Sequence, residues 1–185
     1  MLLGQEQSSD KPIDQRVIVG IEQDVLPYFL QGWFASAWLG YQKVRIRCAY
    51  AQSNIPAFMR SQGFQKDRVS AFGIGFEFFP QGDFKGWWVG PGLGHWTHEL
   101  QTETGETHWH ESFIFSLGGG YVFNITKWLY VSSWTAAHCR ISGNRPIDYG
   151  GYTYRPLVVT PEVSIKVGVR FPVAKEKSSF KKKKK

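Results

Sequence analysis

The longest apolar–polar alternation in this chain runs from Leu157 to Phe171, LVVTPEVSIKVGVRF. Leu157, Val159, Pro161, Val163, Ile165, Val167, Val169 and Phe171 share one parity. Val158, Thr160, Glu162, Ser164, Lys166, Gly168 and Arg170 share the other. Successive strand side chains point to opposite faces, so a strand here has one apolar face and one largely charged or small one. A strand in a soluble sheet needs only about 5–6 residues. A strand crossing a bilayer in a tilted barrel wall needs about 9–11, apolar toward lipid and polar toward the lumen. The segment therefore predicts a transmembrane β-strand that ends in an aromatic residue.

Composition agrees. Of 185 residues, 8 are Trp, 8 Tyr, 14 Phe and 20 Gly, which suits aromatic girdles and Gly-rich barrel strands. A soluble lipocalin-like barrel shares that profile. The mean hydropathy of -0.30 fits a wall that exposes only alternate residues to lipid. No run of about 18 apolar residues exists, which excludes a transmembrane helix. The net charge of +7 is concentrated beyond Pro172, where seven lysines and one glutamate give +6 and leave the body at +1. So neutral a body offers no broad basic face, and no nucleic-acid partner is expected. Cys48 and Cys139 lack metal-type spacing, and a disulfide between them is not expected. MLLGQEQSSD has no signal-peptide pattern, so a processed or misannotated start is expected for an exported chain.

Similar patterning recurs upstream. Strands are expected at 16–23, 32–41, 43–51, 68–79, 86–99, around 112–123, 128–141 and 157–171. KVRIRCAYA sets Val44, Ile46, Cys48 and Tyr50 against Lys43, Arg45, Arg47 and Ala49, and RVSAFGIGFEFF sets four apolar residues against Gly73, Gly75 and Glu77. Short turns near 42, 81–85 and 124–127 alternate with longer connections at 24–31, 52–67, 101–107 and 142–155. An even strand number lets the first and last strands pair and remove the sheet edges. The expected fold is all-β: a closed eight-stranded antiparallel up-and-down transmembrane barrel over 16–171, with a flexible N-terminus (1–15) and a basic tail (172–185).

With apolar faces toward lipid, Glu22, Lys43, Arg45, Arg47, Glu77, Glu162, Lys166 and Arg170 point inward. An eight-stranded barrel is just wide enough for side chains to fill it. Confined charges must pair, so an ion-paired plug is expected, with Glu22, Arg45, Arg47, Glu77, Glu162, Lys166 and Arg170 as its lumen network. HWTHE and HWHE bring His98, His108 and His110 to the inward face of one hairpin near Gly105. Their bland reading is wet residues at the headgroup boundary. Their chemical reading is a weak Zn²⁺ or Cu²⁺ site. No nucleophile motif such as G-x-S-x-G is present. LGGGY lacks the following helix that phosphate binding requires.

The strand pattern over 16–171 and the terminal IKVGVRF resemble the small eight-stranded outer-membrane barrels, the group of the OmpA transmembrane domain, OmpX and OmpW. FKGWWVGPGLGHW is similar to segments of uncharacterised Bacteroidota barrels. IKVGVRF resembles the insertion signal read by the barrel assembly machinery, although fourteen residues follow Phe171 here. The resemblance implies a monomer in the bilayer of a bacterial outer membrane, with a structural, adhesive or small-solute passage role and no catalytic residues assigned. Two alternatives stay open: a lipid-modifying barrel enzyme, for which the palmitoyltransferase PagP is a precedent, and a soluble lipocalin-like carrier.

Overall fold

A computed structural model describes residues 17–174. Ten strands form: β1 (Val17–Asp24), β2 (Trp33–Tyr41), β3 (Val44–Asn54), β4 (Phe64–Phe78), β5 (Gly86–Thr102), β6 (Thr107–Asn124), β7 (Leu129–Arg140), β8 (Ile147–Tyr149), β9 (Tyr152–Tyr154) and β10 (Val159–Ala174). Eight of them close a barrel in the order β1-β10-β7-β6-β5-β4-β3-β2, while β8 and β9 pair only with each other. All pairs are antiparallel, and β1 closes the sheet on β10 from Ile18↔Pro172 to Asp24↔Lys166. No helix among the described residues is long and apolar enough to cross a membrane.

The alternation decides which face is which. Val163, Ile165 and Val167 are 74%, 52% and 41% exposed, while Ser164, Lys166 and Arg170 are buried. Phe72, Ile74, Phe76 and Phe78 of β4 and Phe113, Phe115 and Leu117 of β6 also point outward. The short connections and both chain ends of the barrel lie at one rim, between β2 and β3, β4 and β5, and β6 and β7. The longer connections, 25–32, 55–63 and 141–158, lie at the other. β5 and β6, of 17 and 18 residues, exceed the roughly 9–11 that a crossing needs, so their hairpin stands clear of an apolar belt at the long-loop rim.

The structure departs from the sequence reading in five places, the first being the connection expected at 101–107, which is only a tight turn at 103–106 between β5 and β6. Pro27 opens a short helix, α1 (Leu26–Phe29), inside the expected loop, where a first-turn proline costs no hydrogen bond. The connection expected at 52–67 shrinks to 55–63, because polar residues at both its ends still pair in the ladder, as in Asn54↔Arg68 and Asp67↔Leu100. The loop expected at 142–155 contains the β8–β9 hairpin, turned at Gly150 and Gly151, both at positive φ. The last strand continues beyond Phe171 to Ala174, with a register shift at Val17/Ile18 that accommodates Pro172, which has no N–H to give. The N-terminus expected at 1–15 and the lysine run of the tail lie outside the described residues.

Candidate functional site in the barrel lumen

The lumen is filled in layers. At the short-turn rim an aromatic floor of Trp38, Phe79, Phe84, Trp88 and Tyr130 buries itself with Val122. Glycines on neighbouring strands make room for it. A Cβ on Gly20 would stand 2.4 Å from the Trp38 ring, and one on Gly168 would stand 2.3 Å from Tyr130. Trp38 Nε1 donates to the Tyr130 hydroxyl at 2.7 Å, and Tyr130 donates to Glu22 Oε1 at 2.8 Å. The floor is thereby tied to the layer above.

That layer is ionic. Arg45 pairs with Glu22 at 3.0 Å and with Glu77, while Arg47 pairs with Glu77 and approaches Glu22 at 3.4 Å. All four side chains are almost fully buried. The planar guanidinium groups also cover aromatic faces: Arg45 lies 4.9 Å from Trp38 and 5.0 Å from Phe79, and Arg47 lies 4.9 Å from Trp134. Lys166 sits 3.5 Å over the Trp134 ring, without a carboxylate in ion-pair range among the described residues. Arg170 donates to the main-chain oxygens of Asp83 and Phe84 at the floor. Glu162 instead accepts from His138 Nε2 at 2.7 Å, and His138 Nδ1 meets Ser116 Oγ at 2.7 Å.

Of the residues expected in one charge network, the structure brings Glu22, Arg45, Arg47 and Glu77 into direct contact. It puts Lys166 beside them on an aromatic face, Glu162 in a separate histidine chain and Arg170 at the floor. Lys43 lies in the β2–β3 turn.

At the long-loop rim, His98 and His110 are cross-strand partners. His98 Nδ1 lies 2.7 Å from Asp67 Oδ1 and its Nε2 lies 3.4 Å from Arg140, which also donates to Ser112. His110 Nε2 contacts the Gly143 carbonyl at 2.8 Å. His108 shares their parity but stands one step further out, where its ring stacks on Tyr149 at 4.5 Å. The three imidazoles are thus not gathered at one point. Among the described residues no group of three or more His, Cys, Asp or Glu side chains is placed to hold a metal ion. Protein partners already occupy the ring nitrogens of His98 and Nε2 of His110.

Above this layer the β8–β9 hairpin turns Tyr154 inward onto Phe64 and Leu100, 5.1 Å from the His110 ring. Burial pushes the Tyr154 phenol well above the ordinary tyrosine value, so it remains neutral under its aromatic lid. Sequence reasoning misses the aromatics of the floor and the residues Asp67, Ser112, Ser116 and Arg140. The signal for the floor is present in Gly20, Gly40 and Gly168, empty inward positions beside which large side chains fit.

No protein-family model and no curated protein sequence matches the chain. Solved structures do. Neisserial surface protein A (NspA) superposes with a TM-score of 0.54 at 11% identity, covering 84% of this chain and 95% of that one. The N-terminal β-barrel domain of Pseudomonas aeruginosa OprF gives 0.50 at 9%, covering 85% and 98%. A major outer membrane protein from Thermus thermophilus gives 0.50 at 8%, covering 84% and 98%. The chain folds as the small eight-stranded outer-membrane barrels do. At such identities the likeness speaks for the fold alone. The lumen layers above are argued from this chain's own residues.

Proposed function

We propose that the protein is a monomeric, closed outer-membrane barrel whose role is structural or adhesive and is exercised through its rim and loops, not through solute passage. The observation that carries this reading is the blocked lumen. The floor is sealed by ring packing at 5.4–6.4 Å among Trp38, Phe79, Phe84, Trp88 and Tyr130. Directly above it, the Glu22–Arg45–Arg47–Glu77 quartet spans from β1 to β4. An ion entering from the loops would have to break apart the buried ion pairs and then cross a packed aromatic layer. Either is costly to open.

The outward apolar belt supports embedding in a lipid bilayer, and the fold's neighbours support a bacterial outer membrane. The β1–β10 seam supports delivery by the barrel assembly machinery through the last strand. The experiment is planar-bilayer recording of the purified full chain. We expect no steady conductance, and a persistent ion-selective current would overturn the closed reading.

A further inference from the structure

One lumen feature is left unused by a structural role. Ser116, His138 and Glu162 lie on the adjacent strands β6, β7 and β10, with Ser116↔His138 and Thr160↔His138 in register. Both contacts of His138 are 2.7 Å. A carboxylate can only accept, so His138 Nε2 carries the proton given to Glu162, and Nδ1 is left as an acceptor. The Ser116 hydroxyl must then donate to Nδ1. A serine hydrogen-bonded to a histidine base that a carboxylate orients is the arrangement that activates a nucleophile.

The arrangement also faces space. Ser116 is only partly buried, and the Glu162 side chain, though on the inward parity, is 31% exposed. In the same cross-strand row Gly75 pairs with Gly92 and Gly92 with Ser116, and a Cβ built on Gly73 or Gly75 would meet, within 4 Å, only a main-chain carbonyl, at 3.5 and 4.0 Å. Gly92 lies beside Ser116, and Trp96 packs on His138 with ring centroids 5.3 Å apart. The Trp96 indole nitrogen borders this wall, 3.7 Å from where a Cβ on Gly94 would stand. A purely structural hydrogen-bond chain would be expected to be packed over; here the positions next to Ser116 in its row, Gly92 and Gly75, carry no side chain.

We propose that Ser116, His138 and Glu162 form an acylatable serine site for small esters, entered from the long-loop rim. Ser116 Oγ attacks the ester carbonyl carbon while its proton passes to His138 Nδ1. The tetrahedral intermediate collapses with cleavage of the carbonyl–alkoxy bond, and the departing alcohol takes that proton. Water, giving a proton to the same nitrogen, attacks the acyl carbon. The acid leaves and Ser116 Oγ recovers the proton. Glu162 is a positioning residue: it fixes the tautomer and balances the transient imidazolium.

The test is covalent labelling of the full chain in detergent micelles with diisopropyl fluorophosphate, read by intact mass and peptide mapping. The expected result is one adduct, on Ser116, absent from Ser116→Ala. His138→Ala, or His138→Gln should the first fail to fold, lowers the labelling rate by about 100-fold or more. Glu162→Gln slows labelling and Glu162→Asp restores part of the rate, a rescue that a merely structural role would not produce. Tyr154→Ala, which opens the lid above His98 and His110, speeds labelling. Circular dichroism checks that each variant keeps its strands. No Ser116 adduct in either wild type or Tyr154→Ala would overturn the proposal, as would a His138 variant labelled as fast as wild type. Neither result bears on the conductance that tests the closed barrel.

Discussion

Tyr130 shows how little freedom a filled lumen leaves to a single residue. It receives the Trp38 indole proton, gives its own to Glu22 and presses its ring edge onto the main chain at Gly168. A Gly168→Val change would drive Cβ into the Tyr130 ring, which cannot swing away without breaking both hydrogen bonds. Overpacking of this kind costs about 1–3 kcal/mol. Urea unfolding in lipid vesicles should show a lower midpoint for Gly168→Val, and an unchanged midpoint would mean that the floor is looser than its contacts indicate. Glu77 makes a sharper case. It holds both Arg45 and Arg47 in a site with almost no exposure. Glu77→Ala leaves two buried cations sharing Glu22 alone, a loss of about 3–5 kcal/mol for a dry pair. Glu77→Gln keeps the shape and should lose less. Equal stability of all three proteins by the same unfolding assay would show that water, not Glu77, satisfies the arginines.

Strands are the most legible elements, because a period of two survives any local detail. In β10 the parity of Val163, Ile165 and Val167 alone puts those residues outside and Lys166 and Arg170 inside, and the structure agrees. Ile165→Arg on that outer face should cost about 2–4 kcal/mol near the bilayer midplane, measured by reversible unfolding in vesicles; no cost would reverse the facing. Cys48 offers a second check, since it is free and points outward with Ile46. A spin label on Cys48 in a Cys139→Ser background should be relaxed by oxygen more than by a water-soluble nickel chelate, and the opposite order would put β3 inside out. What the period does not reveal is contact. Parity gives Arg170, Glu162 and Arg47 the same inward sense, yet Arg170 ends at the floor and Glu162 pairs with a histidine on β7. Those heights depend on strand stagger, which follows from turn geometry and not from alternation. The floor tryptophans, Trp38 and Trp88, escape for a related reason: a high aromatic content reads most simply as outer girdles, although Gly20, Gly40 and Gly168 vacate the space inside. The β8–β9 hairpin is hidden by its shortness, three residues on each side of a glycine pair.

For the molecule as a whole, the layers turn the ordinary order of a soluble protein inside out. Charge and hydrogen bonds occupy the centre, and the exterior between the rims carries Ile21, Phe72, Trp87, Leu93, Phe113, Phe123, Val163 and Ile165, all at least half exposed. A continuous belt of that kind far exceeds the few hundred Å² that a soluble monomer leaves bare. A lipocalin-like carrier would need the reverse, with the Phe-rich stripes lining a cavity and Arg45, Arg47 and Glu77 in water. The buried quartet is inconsistent with that arrangement. The chain should therefore fold only where an amphiphile covers the belt. Diluted from urea into detergent or lipid, it should gain a β-sheet spectrum and sediment as a monomer with bound amphiphile. Diluted into buffer alone, it should aggregate through the belt. A soluble, folded monomer in amphiphile-free buffer, measured by sedimentation and circular dichroism together, would sink the membrane reading, because nothing in water could cover those side chains while the ion pairs stayed inside.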